Sequence, residues 1–239
     1  MKIFVPSFKR AGRVKTRKIV PDSIIVCHEF EKDDYHEKEG EPILVAPDGL
    51  KGNIAKVRNF ILDQGEDEPR IVMMDDDLDE VGYHEEMKQH PMTPPEILAF
   101  LEMGYQMAED LGVHLWGINL QADPQFYRQY TPVSFLQPIL GTFSCHLRPD
   151  IQYDEGLFLN EDYDLFLKQI NRNRKCLRLN KYYYKADHLD RSGGCASYRI
   201  KDFEIEQSKI MIRRWGNHVV KYNFKKSTNP VIYVPIGGV

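Results

Sequence analysis

The 239-residue chain has no apolar run approaching the ~18 residues that a membrane-spanning helix requires, and its N-terminus, MKIFVPSFKR, lacks the long apolar stretch of a secretory signal. A cytoplasmic protein without a membrane partner is expected. Cysteine is scarce: Cys27, Cys145, Cys176 and Cys195 are widely spaced and form no C-x-x-C pair, which removes zinc knuckles and thioredoxin-type motifs from consideration. Reduced, mostly buried thiols are the expectation. There is no internal repeat, low-complexity tract or linker, so one domain over residues 1–239 is expected. With 42% hydrophobic and 28% charged residues, the composition excludes disorder, collagen and coiled coil and allows a sizeable core.

The net charge of −4 conceals an asymmetry. Residues 1–120 carry 14 Lys+Arg against 24 Asp+Glu, whereas from Leu165 onward the count is 16 against 5. Such a basic C-terminal region can neutralise the phosphates of a polyanion, although a solvated face explains it equally well.

Period and breaker signals alternate along the chain. Strands are expected at Lys2–Val5, Ser23–Cys27, Ile43–Ala46 and Arg70–Met74, with a basic loop from Lys9 to Lys18 after the first. Asn53 can cap a helix that carries Ile54, Val57, Ile61 and Leu62 on one face, and Pro94-Pro95 opens another from Glu96 to about Leu111. His114–Leu120 and Ile139–Leu147 read as further strands, then a helix begins at Asn160. A tyrosine-rich strand over Cys176–Lys185, a helix over Tyr198–Trp215 and a tail strand over Val231–Val234 complete the pattern. Strands separated by helices predict an α/β fold, a mostly parallel central sheet with helices on both faces, of the nucleotide-binding class.

The sharpest local signal is Asp75-Asp76-Asp77, delivered by the apolar strand Ile71–Met74 to the carboxyl edge of the sheet, where open α/β sheets place ligands. In an extended segment Asp75 and Asp77 point to one side and could share a divalent ion whose remaining positions take phosphate oxygens. An acidic turn capping a following helix is the alternative. At the end of the first strand, Pro6, Ser7, Arg10 and Gly12 offer phosphate and ribose contacts, with Lys9, Lys15 and Thr16 close by. Arg58 and Asn59, near a helix start that favours anions, are candidates for the same ligand. Glu161-Asp162 sets a carboxylate pair at another helix start, where Asp162 could take a proton from an acceptor hydroxyl while Glu161 orients it; helix capping is the competing explanation. His188, followed by Gly193-Gly194, is a candidate metal ligand.

The order PSFKRAG, KGNIAKVRN, MMDDD, NEDYD, ADH over about residues 2–190 resembles the GT-A fold of nucleotide-sugar-dependent glycosyltransferases. The resemblance implies that Asp75 and Asp77 form a D-x-D metal motif holding Mn²⁺ or Mg²⁺ on the diphosphate of a UDP-sugar, with Asp76 beside them. It further implies that Asp162 is the base of an inverting reaction and that His188 completes the ion's shell. More narrowly, PSFKRAG, the triple Asp and the Gly-Gly after the histidine are similar to the phage TET/JBP-associated glycosyltransferases, which implies transfer to 5-hydroxymethylcytosine or another 5-hydroxymethylpyrimidine in DNA. On that resemblance Arg172, Arg174, Lys175, Arg178, Lys181 and Lys185, interleaved with Tyr182, Tyr183 and Tyr184, would meet the DNA, whose target nucleotide would be flipped out. A sugar-phosphate nucleotidyltransferase is the second enzymatic reading, opposed by the single glycine, Gly12, of the opening loop; a non-catalytic nucleic-acid-binding protein is the third.

Overall fold

A computed structural model of the chain describes residues 1–64, 68–186, 201–224 and 229–234. It opens with β1 (Lys2–Pro6), the short helix α1 (Thr16–Ile19), β2 (Ile24–His28), α2 (Lys32–Glu39) and β3 (Ile43–Ala46). Helix α3 (Ile54–Asp63) leads to β4 (Arg70–Met74) and then to a hairpin of β5 (Leu78–Glu85) and β6 (Lys88–Pro91). After α4 (Pro94–Leu111) come β7 (Leu115–Asn119), β8 (Val133–Ser134) and β9 (Phe143–Leu147). Helix α5 (Glu161–Asn173), β10 (Leu177–Ala186), α6 (Lys201–Trp215) and the small strands β11 (Val220–Lys221) and β12 (Val231–Ile232) complete the described elements.

A 10-stranded sheet has the order β3-β2-β1-β4-β9-β7-β10-β5-β6, with β8 paired to β10, while β11 and β12 pair separately. Strands β3, β2, β1, β4, β7, β10 and β6 run one way and β9, β5 and β8 the other, so the sheet is mixed and mostly parallel, as the alternating pattern predicts. The pleat sends alternate residues to opposite faces. Ile3, Val5, Val72 and Met74 share one hydrophobic cluster with Ile97, Leu101, Tyr105 and Ala108 of α4. Phe4, Ile71 and Met73 share the cluster on the other face with Ala55, Val57 and Ile61 of α3 and Leu165 and Phe166 of α5. Burying both faces is what makes the central strands near-continuously apolar.

Local signals hold the helices in place. The Asn53 side chain accepts from the Lys56 N–H at 3.3 Å, and Thr93 with Glu96 forms a capping box ahead of α4, which ends at left-handed Gly112. Three differences from the sequence reading bear on the site. Strand β5, not a helix, follows Asp77, and residues 139–142 lie outside β9. Helix α2 is almost wholly charged, with Tyr35 its buried residue. Cys27, Cys145 and Cys176 are buried free thiols. Among the described residues no helix is long and apolar enough to cross a membrane.

Candidate active site

The parallel pairing of β1 with β4 brings their carboxyl ends together, and with them Ser7, the basic loop and the three aspartates. Asp76 is the inward member of the triplet. Its Oδ2 accepts from Ser7 Oγ at 2.5 Å, its Oδ1 accepts from Arg10 Nη1, and its main-chain carbonyl accepts from Lys15 N at 2.8 Å. Burial pushes the Asp76 carboxyl up to about 6 against the pull of Arg10 and Ser7, and Asp75 and Asp77 push the same way as burial. Tyr35 shares a 2.8 Å hydrogen bond with Ser7 Oγ and accepts from Arg10 N, which ties α2 to the loop. Thr16 donates to the Asp75 carbonyl at 2.5 Å and accepts from Leu78 N, so it braces the turn. Asp75 and Asp77 retain more exposed carboxylate surface, 33% and 19% against 7% for Asp76.

Arg58, on α3, is buried between two carboxylates. Nη1 donates to Glu161 Oε1 at 2.5 Å, Nη2 donates to Asp75 Oδ1 at 3.2 Å, and the guanidinium lies 5.6 Å from the Tyr153 ring centre. Burial opposes its charge, but Glu161, Tyr153 and Asp75 outweigh that cost and raise its pKa. Burial pushes the Glu161 carboxyl above its ordinary range while Arg58 pulls it back. Beneath the pair, burial and the charge of Arg58 lower the His146 imidazole to about 3, so it stays neutral. Sequence reasoning gave Arg58 to the ligand; the structure places it first as the link between Asp75 and Glu161.

Gly141 joins these groups and was not anticipated. A Cβ there would fall 1.9 Å from Arg58 Nη1, so only glycine lets the guanidinium lie against the chain. The Gly141 N–H donates to Asp162 Oδ2 at 3.1 Å, and the neighbouring Thr142 carbonyl accepts from Asp75 N at 3.1 Å. A glycine inside an apolar segment read as strand was the available signal, since such glycines mark bulges and close backbone approaches. Asp162, in the first turn of α5, also accepts from Tyr163 N at 2.8 Å. Asn160, before it, is left-handed and makes no side-chain cap, so the acids of that turn face the helix N-terminus with its favourable dipole.

A cleft of about 860 Å³ gathers most of the residues singled out from sequence: Pro6, Ser7, Arg10, Arg58, Asp75, Asp76, Asp77, Glu161 and Asp162. Phe8 and His28 also line it. There the Phe8 and His28 rings meet edge to face at 5.5 Å, His28 stacks on Phe30 at 6.0 Å, and Lys51 sits 4.4 Å from the Phe30 ring centre. Tyr184 is the member of the tyrosine run that reaches the cleft. Tyr183 instead packs on His84 at 4.6 Å and donates to Glu80, and Tyr182 packs on Phe100 at 4.1 Å.

Some expected residues are elsewhere. Asn59 does not line the cleft: its amide donates to the Tyr153 carbonyl and accepts from Tyr153 N at 2.8 Å, tying α3 to the loop before α5. Gly12 lines an adjacent groove rather than the cleft. His188 lies outside the described residues. The C-terminal cations are largely engaged: Arg172 pairs with Asp150, Lys185 with Glu80 at 2.8 Å, Lys175 donates to the Leu111 carbonyl and Arg178 to Asn180 Oδ1. Among the described residues no three His, Cys, Asp or Glu side chains are arranged to enclose a metal ion. Asp75 and Asp77 supply hard oxygens at the cleft wall, a donor set that suits Mg²⁺ or Mn²⁺ when water and the ligand's own phosphates complete the shell.

The model of one family, described as TET-Associated Glycosyltransferase, matches residues 1–194. No curated protein matches the chain. Among solved structures, TarS 1-349 from S. aureus is 16% identical with a TM-score of 0.47 over 77% of this chain, which spans 60% of that one. A197 from STIV is 13% identical with a TM-score of 0.39, covering 78% of this chain and 85% of that one. A CMP:2-keto-3-deoxy-manno-octonic acid synthetase complexed with CTP is 7% identical with a TM-score of 0.42, covering 89% and 98%.

Proposed function

The chain belongs to the TET-associated glycosyltransferase family and is a glycosyltransferase, and on that premise we propose that its cleft takes a UDP-sugar with Mn²⁺ or Mg²⁺ and transfers the sugar to the hydroxymethyl group of a 5-hydroxymethylpyrimidine in DNA, 5-hydroxymethylcytosine foremost. One observation carries this reading: Asp75, Asp77 and Asp162 converge on one cleft that the aromatic rings of Phe8 and His28 also line. The uracil would stack at Phe8 and His28, with the diphosphate near Asp75 and Asp77. A divalent cation there would offset the charge that builds on the departing diphosphate.

The acceptor oxygen attacks the anomeric carbon while the bond from that carbon to the diphosphate oxygen breaks, and Asp162 takes the hydroxyl proton. The product has inverted configuration. Asp162 suits the task because the hydrogen bonds it accepts from Gly141 N and Tyr163 N come from main-chain N–H groups, which fix its carboxylate without neutralising it. Glu161, buried against Arg58, orients the turn that carries Asp162. Arg58 and Arg10 act by holding Asp75, Glu161, Asp76 and Asp77 in place.

The test is a thermal-shift panel of UDP, GDP, CDP, ADP and their common sugars, each with and without Mn²⁺. A ligand at 100 times its Kd stabilises the native state by about 2.7 kcal/mol. The expected result is a metal-dependent rise with uridine nucleotides that the Asp75→Asn/Asp77→Asn variant loses. A folded wild-type protein that responds to none of them would overturn the donor assignment.

A further inference from the structure

A second groove, of about 520 Å³, opens beside the main cleft between the loop 10–18 and the last turn of α2, and Arg10 and Asp77 line both. We propose that this groove holds the phosphodiester backbone of a nucleic acid while the target nucleotide occupies the main cleft. The inference rests on the reading of DNA as acceptor and specifies which surface grips it.

The sequence concentrates charge here. Residues 9–18, KRAGRVKTRK, contain six Lys and Arg and no acid, within the half of the chain that is otherwise strongly acidic. The fold gathers Arg13, Lys15, Arg17 and Lys18 from this loop around the groove and adds Lys38 from α2. Arg17 donates to the main-chain carbonyls of Glu39 and Gly40, both at 2.9 Å, and of Glu41. A carbonyl satisfies the donors and leaves the positive charge uncancelled. Lys18 is exposed, and Lys38 meets Asp34 only at 3.7 Å across a solvent-exposed gap. Lys15 pairs with Asp79 at 3.1 Å in a solvent-accessible contact of the kind that contributes little.

Of the two acids that line the groove, Asp77 pairs with Arg10, and Glu39 has a different task. Its Oε1 accepts from Gly12 N at 2.6 Å and Val14 N at 3.2 Å, which pins the loop over the stem of Lys38. The groove is thus a braced cationic surface. Charges spread along a groove, rather than converging on one point, fit a ligand with repeated phosphates. Among the described residues of the C-terminal basic region, Arg172 and Lys185 are instead paired with the carboxylates of Asp150 and Glu80.

The experiment is fluorescence anisotropy of a hydroxymethylated DNA duplex titrated with the full chain over a series of salt concentrations, without donor. Each lost phosphate contact makes the slope of log K against log salt shallower by about 0.9. Lys18→Gln/Lys38→Gln should bind at least about fivefold more weakly, with a slope shallower by roughly 1.8. Arg172→Gln/Lys181→Gln, the same change of charge, should stay within about twofold. Circular dichroism melting confirms that both are folded, and UDP-sugar binding by Lys18→Gln/Lys38→Gln should equal wild type. Equal losses in the two variants, no loss at Lys18 and Lys38, or a wild-type chain that does not bind the duplex would each overturn the inference. Donor binding is read separately on the same protein preparations, so a failed donor site is told apart from a failed groove.

Discussion

Replacing Gly141 by alanine adds a single methyl group, yet it strikes the point where the site is held together. Gly141 has no positive φ, so alanine suits its backbone and the effect isolates the close approach. The new Cβ would lie 1.9 Å from Arg58 Nη1, 2.1 Å from Nη2 and 2.2 Å from Cζ. A free arginine would swing aside, but this one is buried and bonded to Glu161 at 2.5 Å and Asp75 at 3.2 Å. Displacing it separates a buried ion pair, which costs about 3–5 kcal/mol. Glu161 limits the loss by taking up a proton, an uptake that its burial already favours, so about 3 kcal/mol is expected. Urea denaturation should show a midpoint lower by about 1–2 M for an m value near 2 kcal/mol/M. Transfer should fall by about 100-fold, the cost of misplacing catalytic groups by about 1 Å. Adding Glu161→Gln, which needs no cation, should recover about 1 kcal/mol or more of the lost stability. Gly141→Ala within about 0.5 kcal/mol of wild type and fully active would refute the reasoning.

Two further outcomes concern stability. Asp76 holds its proton to about pH 6 when folded against an ordinary value of 3.8, so the folded state binds more protons between those values; its contribution is greatest below pH 3.8 and is lost as pH rises through about 6. Asp76→Asn should therefore remove up to about 3 kcal/mol of the difference in unfolding free energy between low and neutral pH, and parallel pH profiles for the two proteins would contradict this. Asp164, fully buried on α5, accepts from Arg214 at 2.8 Å and from the Trp215 indole at 2.9 Å, which attaches α6 to α5. Asp164→Ala should lower the unfolding free energy by about 2 kcal/mol in urea, since hydrogen bonds to a charged group are lost; an unchanged midpoint would show that this attachment contributes nothing.

Much of the fold was legible because its strands announce themselves. Ile43–Ala46 and Arg70–Met74 occur with the expected limits, and α4 begins at Pro94 where proline and the capping box start it. Helix α2 was hidden because its eight residues carry no apolar stripe. The β5–β6 turn was hidden because Glu86 and Met87 take positive φ without a glycine or asparagine to signal it. Within the site, the carboxylates could be read from strand ends and helix starts, as could Ser7 and Arg10 from the loop after β1. The partners of Arg58 and the place of Asn59 depend on tertiary contacts across 103 and 94 residues, which no local pattern encodes. Charge counting left the C-terminal region open between a polyanion surface and a solvated face, and counting cannot see that Lys185 faces Glu80 or that Arg172 faces Asp150.

The proposed transfer runs through Asp162 from a metal-held nucleotide sugar. The most direct measurement incubates hydroxymethylated duplex DNA with UDP-sugar and Mn²⁺, using wild type and Asp162→Asn side by side, and weighs the digested nucleosides by mass spectrometry while donor binding is read by calorimetry. Wild type should add one sugar to the hydroxymethylated base, and Asp162→Asn should bind donor with unchanged affinity and transfer at least about 100-fold more slowly. Transfer by Asp162→Asn at the wild-type rate, or a wild-type chain that binds donor and leaves the DNA unmodified, would contradict it.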